Sequence, residues 1–527
     1  MKNGSAFTTG RLGTSRNPVN VKYAVAPKLE AELLLLNAYT EVDMAHTVML
    51  AEQGVLTDAQ ARGILLGIRE IAALGDGEFP VETERGSVLL QVEHFLAERI
   101  GHDMAGRMHT GRSRNDQQEA ANRVLVRDRL LEVAEAMLRL QDAVLDLALE
   151  HADTVMPGYT HLQHAQPTTL GHYVMRHYYP FERDQQRLEG AFTRTNLNAL
   201  GGAACVGTTW PVDRHRTAEL MGHDGLVVHA TDAGVFARDY PAENAALLSI
   251  LVNDVGRLAG DLYVWSTWEF GMIEVDDGMA NTSSIMPQKK NPEALERVRG
   301  LSGIAVGWLP AVLGALRSAT SSDLELAFGP DPTQEMIDST IAVLELTRES
   351  LETTTFNTDV MRDRVEVNWT TATSLADELV RGSGLSFRAA HQVVGRLVRN
   401  SVSEGVPPSD VTSEMVVAAA DEIGISMAIS QDRVSRSLDP SAFLGSLSTV
   451  GSANPAEVRR MVADGRELQA AHRAWVEETQ AGLARARGKL RSAVDSYLSV
   501  PAGSDHGSRR PASSEILAGS GVRRENA

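Results

Sequence analysis

The stretch Leu130-Leu131-Glu132-Val133-Ala134-Glu135-Ala136-Met137-Leu138-Arg139-Leu140-Gln141-Asp142-Ala143-Val144-Leu145-Asp146-Leu147 contains no glycine or proline, and its apolar residues fall on two lines. Leu130, Val133, Met137, Leu140, Val144 and Leu147 are spaced 3-4-3-4-3, the repeat of a helix packed in a bundle. Leu131, Leu138 and Leu145 make a second line beside it. A helix with two apolar lines is expected to be covered on more than one side. The breaker-free run extends from a polar break at 108–117 to Glu150, about 45 Å as a helix at about 1.5 Å per residue.

Four more long helical stretches follow, roughly 168–196, 241–270, 292–316 and 333–355. Pro180 and Pro310 are expected to kink two of them. Strand-like alternation is scarce, and no repeat of roughly 20–50 residues occurs. The expected fold is therefore all-α, built on an elongated antiparallel bundle. The second apolar line is expected to lie against another subunit rather than in water. Before the bundle, a polar arm to about residue 25 precedes helices at 29–52, 58–74 and 82–101, with Gly54 ending the first and Thr57 capping the second. After it come shorter helices, including 372–381 and 386–400, with a C-cap at 381–384 between them. The chain thus divides into an N-terminal helical domain with its arm (1–115), a central long-helix bundle (116–364), a C-terminal helical domain (365–500) and a disordered tail of small and charged residues (501–527).

The 527 residues are 43% hydrophobic and 23% charged, a globular composition. A formal charge of −19 argues against nucleic acid as a partner, because phosphate binding needs a basic face. It does not exclude an anionic substrate, since a local cation cluster dominates its own cleft. No signal segment and no membrane-spanning run is read, so a cytoplasmic protein is expected. Cys205 is the only cysteine, so no intrachain disulfide forms. Its small apolar neighbours favour a buried structural thiol over a nucleophile.

Three segments could carry chemistry. In 281–296, Ser283, Ser284, Met286, Lys289, Lys290 and Asn291 stand in a loop that Pro292 turns into a helix. Hydroxyls, ammoniums and an amide on a helix N-terminus suit a negative charge. In 158–167, His161 stands beside Thr160 among hydroxyls and amides. In 109–117, Arg112, Ser113, Arg114 and Asn115 precede the long helix, where guanidinium and free N–H groups suit a carboxylate. Each has an ordinary reading too. A lone histidine is most often a structural hydrogen-bonder, and a basic turn is usually solvated. His161 and His164 lie three apart with no third ligand pattern nearby, so no metal is expected.

Together, the runs His-Thr-Gly-Arg-Ser-Arg-Asn-Asp-Gln, Gly-Tyr-Thr-His-Leu-Gln and Ser-Ser-Ile-Met-Pro-Gln-Lys-Lys-Asn-Pro closely resemble argininosuccinate lyase, of the aspartase/fumarase superfamily. The resemblance covers roughly residues 29–480. It implies a three-domain fold and a homotetramer with a shared helical bundle, each active site taking its segments from three subunits. It implies no cofactor, and β-elimination of an N-substituted aspartate to fumarate and an amine. Ser283 then matches the base, His161 its proton-transfer partner, and Lys289 and Asn291 the donors to the intermediate. Arg112, Ser113, Asn115, Thr160, Ser284 and Met286 match substrate-binding positions.

The sequence departs from the family in places. Thr282 replaces a glycine, and Glu293 stands where aspartate is common. Where the family has a substrate-contacting tyrosine, glutamine and lysine, this chain has Thr320, Glu325 and Phe328. Three readings follow: cleavage of argininosuccinate or a close analogue, cleavage of another succinylated amine such as a diamine-succinate, or an inactive crystallin-like structural role. A cycloisomerase of the same superfamily fits the Pro-Gln-Lys-Lys-Asn-Pro run less well.

Overall fold

The computed structural model describes residues 16–236, 239–317 and 332–499. Thr320, Glu325 and Phe328 lie outside the described residues, as does the 501–527 tail. Of the arm, residues 18–25 are helical with no buried side chain, and the first buried side chain is Leu29, in the helix that follows.

Helices α1 (Leu36–Glu52), α2 (Asp58–Glu78) and α3 (Val88–Ile100) close around Val42, Leu50, Ile64, Ile68, Val92 and Leu96. Thr57 starts α2 with a reciprocal cap. Its hydroxyl accepts from the Gln60 amide, and Gln60 Oε1 accepts from the Thr57 amide at 2.9 Å.

The bundle begins with α4 (Arg114–Glu150), whose 37 residues span about 55 Å. A two-stranded antiparallel ribbon, β1 (Val155–Thr160) and β2 (Gln163–Thr169), joins it to α5 (Leu170–Thr195). Helix α6 (Asp239–Trp265) follows, then a short hairpin of β3 (Asn281–Thr282) and β4 (Lys290–Asn291). Helices α7 (Glu293–Ala305), α8 (Trp308–Leu316) and α9 (Pro332–Thr353) complete it. Val144, Tyr178, Leu188, Leu248, Val255, Val298 and Leu344 share one buried core. The fold is all-α, with only two-stranded pieces of sheet among the described residues. Helix α5 runs through Pro180 unbroken, whereas Pro310 has its expected effect. Its ring cannot sit beside the carbonyl four residues earlier, and the helix breaks at Val306 and Gly307. A separate small core of Leu375, Leu379, Val393, Leu397 and Val416 holds α10 (Ala372–Ser383) and α11 (Phe387–Glu404), and Gly384 ends α10 at φ 67°.

Three expectations are corrected. The residues after 365 are not all short helices: α12 (Pro455–Leu498) has 44 residues and returns along the bundle. Tyr178 donates to Gly465 O at 2.7 Å, and Gln469 donates to Leu138 O at 2.9 Å. A Cβ on Gly465 would stand 2.9 Å from Leu145 Cδ2, so a larger residue there would have to push Leu145 aside. Consequently the second apolar line of α4 is covered within the chain, with Leu131, Leu138 and Leu145 at most 4% exposed. The unpartnered apolar surface lies elsewhere, on α7 and α8, where Ile304, Val306 and Leu313 are 61%, 66% and 51% exposed. Finally, Glu293–Leu316 is long and apolar enough by length and composition to cross a membrane. The break at Val306 and Gly307 and the glutamates of its first turn make it a poor span.

Candidate active site

The ribbon presents His161. Thr160 pairs with Gln163, and the two residues between, His161 and Leu162, have φ of 56° and 57°. That is a tight hairpin turn of the primed kind, normally given to glycine or asparagine. Side chains held there cost of order 1–3 kcal/mol, so the tertiary setting must fix them. Both are exposed, as is Thr160. A bulge at Gly158 bends the ribbon, and a Cβ there would lie 2.6 Å from Gln166 O. His164 is held below, its Nδ1 at 2.9 Å from Asn368 Nδ2 and its ring edge-on to Tyr159.

The β3–β4 hairpin presents the serine loop. Ser283 Oγ accepts from the amides of Ile285 at 3.3 Å and Met286 at 3.1 Å. Ser284, Met286 and Lys289 are exposed around it. Lys290 is otherwise engaged: its ammonium pairs with Asp277 at 2.6 Å and Glu274 at 3.3 Å. The hydrogen bond from Lys290 holds the Asp277 carboxyl below its usual range. Asn291 Nδ2 donates to Asn281 Oδ1 at 2.9 Å, fixing the amide beside the loop. Pro292 is the residue before α7 and offers no side-chain cap, so the first amides of α7 remain open to an anion.

The third segment caps α4. Ser113 Oγ accepts from the Asn115 amide at 3.3 Å, and Asp116 Oδ1 accepts from the Ser113 amide at 2.8 Å. Arg112 is not the open fork that the sequence suggested. Its side chain is fully buried and donates to Asp43 Oδ1 at 2.6 Å, while Nε and Nη2 find no partner among the described residues. Gln117 donates to the same Asp43 oxygen at 2.6 Å. Burial pushes Asp43 up and His46 well down. It also raises Glu93 to about 6 and lowers His109 to about 4. Sequence reasoning missed Asp43. Its only signal was a carboxylate between Val42 and Met44, on the side of the helix that is buried.

The fold brings two of the three segments to one end of the bundle. The ribbon follows the C-terminus of α4, and the hairpin follows that of α6. Tyr159 packs on Phe270 at 6.1 Å and reaches Met272 Sδ at 3.9 Å, in the segment that leads from α6 to the hairpin. Arg112, Ser113 and Asn115 stand at the other end of α4, about 55 Å away. No hydrogen bond or ion pair among the described residues joins the three. Nor do three or more His, Cys, Asp or Glu side chains gather there as a metal would require.

A family model described as "Lyase" matches residues 28–307, and one described as "Argininosuccinate lyase C-terminal" matches residues 369–444. The argininosuccinate lyase of Methanosarcina mazei is 36% identical over 451 residues, 85% of this chain and 90% of that protein. That of Methanocaldococcus jannaschii is 35% identical over 462 residues, 87% and 93% of the two chains. Among solved structures, an EDDS lyase in complex with formate has a TM-score of 0.80 at 34% identity, covering 91% of this chain and 97% of that one. The 3-carboxy-cis,cis-muconate lactonizing enzyme of Pseudomonas putida, at 19% identity and a TM-score of 0.67, covering 86% and 100%, shares the fold alone. With family models on both the bundle and the C-terminal helices, and relatives near 35% identical across most of both chains, this chain belongs to the argininosuccinate lyase family of carbon–nitrogen lyases.

Proposed function

We propose that this protein is a cytoplasmic homotetramer that splits argininosuccinate, or a close N-substituted aspartate, into fumarate and an amine or guanidine product. Ser283 removes the Cβ proton, and Lys289, Asn291 and the N-terminus of α7 hold the charge that then develops on the neighbouring carboxylate. His161 assists proton transfer towards the leaving nitrogen. Ser113, Asn115 and Thr160 hold carboxylates, with Arg112 behind them and Ser284 and Met286 lining the loop. The observation that carries this reading is the Ser283 hydroxyl, which receives two backbone N–H groups. An alkoxide forming there is stabilised where it forms, as a serine base requires.

Assembly is supported by two features. The α7–α8 face leaves Ile304, Val306 and Leu313 bare, and in one chain the Ser113 and Asn115 turn lies a 37-residue helix away from the other two segments, too far to share a substrate with them. The name of one similar structure, an EDDS lyase, favours keeping a second reading in which the leaving amine is not arginine. Glu325 and Phe328 agree with that. They offer a negative charge and an aromatic face where the family offers an amide and an ammonium, and so suit a cationic amine without a distal carboxylate.

The test is competition between argininosuccinate and simple N-alkyl or diamine-substituted aspartates, following fumarate release. Fumarate is expected from at least one of them, with argininosuccinate cleaved more weakly than is usual in the family. No fumarate from any of them overturns the lyase reading. A hundredfold preference in kcat/KM for argininosuccinate leaves the first reading and removes the second.

A further inference from the structure

Asp116 makes more contacts than a helix cap needs. One oxygen accepts the Ser113 amide, as in an ordinary capping box. The other accepts the amides of Gly201 and Ala203, each at 2.8 Å, from a loop 85 and 87 residues further on. The residue is fully buried. The loop it grips is strained, with Gly201 at φ 90° and Ala203, a residue with a Cβ, at φ 52°. From the opposite side Arg214 donates to Leu200 O at 3.0 Å and Val227 O at 2.6 Å. Beyond Ala203 the chain runs out to exposed Val206 and Trp210 and returns against the α4 turn. A Cβ on Gly111 would stand 2.8 Å from Val212 and 3.4 Å from Trp210.

We propose that Asp116 is a positioning residue of the α4 end of the active site. It locks the 201–212 loop against the turn that carries Ser113 and Asn115, so that the loop walls one side of the carboxylate-binding groups. This rests on the lyase reading above. Both carboxylate oxygens face N–H donors, so a proton on either one removes a contact. Burial raises the Asp116 carboxyl to about 6, against the three amides and Arg112, which lower it. The clamp therefore loosens as the pH falls through that value. The charged groups facing it are Arg112 on its own turn and Arg214 across the loop, with Asp43 and Glu93 acting through Arg112.

Cys205 gives a local readout, because it is the only thiol in the chain and lies half-buried in the gripped loop. In the full-length protein at pH 8, Asp116→Asn is expected to speed reaction of Cys205 with an aromatic disulfide at least fivefold. It should weaken fumarate binding, measured by calorimetry, at least tenfold, with helical content unchanged and partial rescue by Asp116→Glu. Faster thiol reaction with unchanged fumarate affinity overturns the proposal, and so does no change in either. A wild type that binds no fumarate overturns the lyase reading instead, while the thiol rate still decides the clamp. If Asp116→Asn does not fold, fumarate affinity of the wild type from pH 5 to 8 decides. A break near 6 that persists in Glu93→Gln supports the clamp, and its absence refutes it.

Discussion

The Ser283 hydroxyl lies 3.3 and 3.1 Å from the amides of Ile285 and Met286, and Lys289 is exposed on the same loop beside the ion-paired Lys290. Both side chains stand outside the core, so replacing them should spare the fold. Ser283→Ala is expected to cut kcat by several orders of magnitude. Lys289→Met should cost roughly 3–4 kcal/mol or more, in line with a lost oxyanion donor. Steady-state rates beside circular dichroism check both, and Ser284→Ala should do less harm. Near-wild-type turnover in Ser283→Ala would remove it as the base. At this scale the candidate groups are local in the sequence and their partners are not. Ser283, Lys289, Asn291 and His161 were legible as runs of neighbouring residues. The Asp43 contact to Arg112 joins residues 69 apart, and no local pattern announces it.

At the scale of elements, what was legible followed periodicity. The 3-4 spacing marked α4, and Pro310 marked the break before α8. The β1–β2 ribbon leaves no strand signal in the sequence, because Pro157, Gly158 and Pro167 interrupt any strand-like alternation. Helix α12 escaped because its buried side is sparse, with Gly465, Gln469 and His472 between its apolar contacts. Polar residues inside the bundle leave a measurable trace in α5. Asp184 is fully buried, with one oxygen unpartnered, and burial with the nearby Asp254 raises its carboxyl to about 7 despite Arg187 at 2.5 Å. In the unfolded chain the same group titrates near about 4. Folding therefore takes up a proton between those values, and this group's contribution to stability falls as the pH rises through them. Asp184→Asn is expected to raise stability at pH 8 by roughly 1–3 kcal/mol, with the gain vanishing near pH 4. Thermal melts at the two values check it, and a lower melting temperature at pH 8 would refute the assignment.

At the scale of the molecule, the segments of the proposed site are split between two ends of one chain. Its hairpin and ribbon stand at one end of the bundle, and its Ser113 and Asn115 turn at the other, a helix of 37 residues between them. Reversing a second chain against the first would set the turn of each beside the hairpin of the other. The bare face to bring them together is α7–α8, where Ile304, Val306 and Leu313 project and Gly300, Gly303 and Gly314 leave open space for close approach. Light scattering is expected to give a tetramer, and Ile304→Arg with Leu313→Arg to break it up with loss of activity. The sharper test is mixing. Ser283→Ala chains lack the proposed base in every hairpin, and Asn115→Ala chains lack the proposed carboxylate donor in every turn, so each alone should be nearly inactive. In mixed assemblies, sites that pair an intact hairpin with an intact turn reappear. For random mixing at equal amounts, with one chain giving the hairpin and another the turn, about a quarter of sites are whole by independent assortment. Recovered activity near that fraction, after the two variants are unfolded and refolded together, is the expected result. Activity no greater than the sum of the separate variants would mean that each chain builds its site alone, and that the bare α7–α8 face needs another partner.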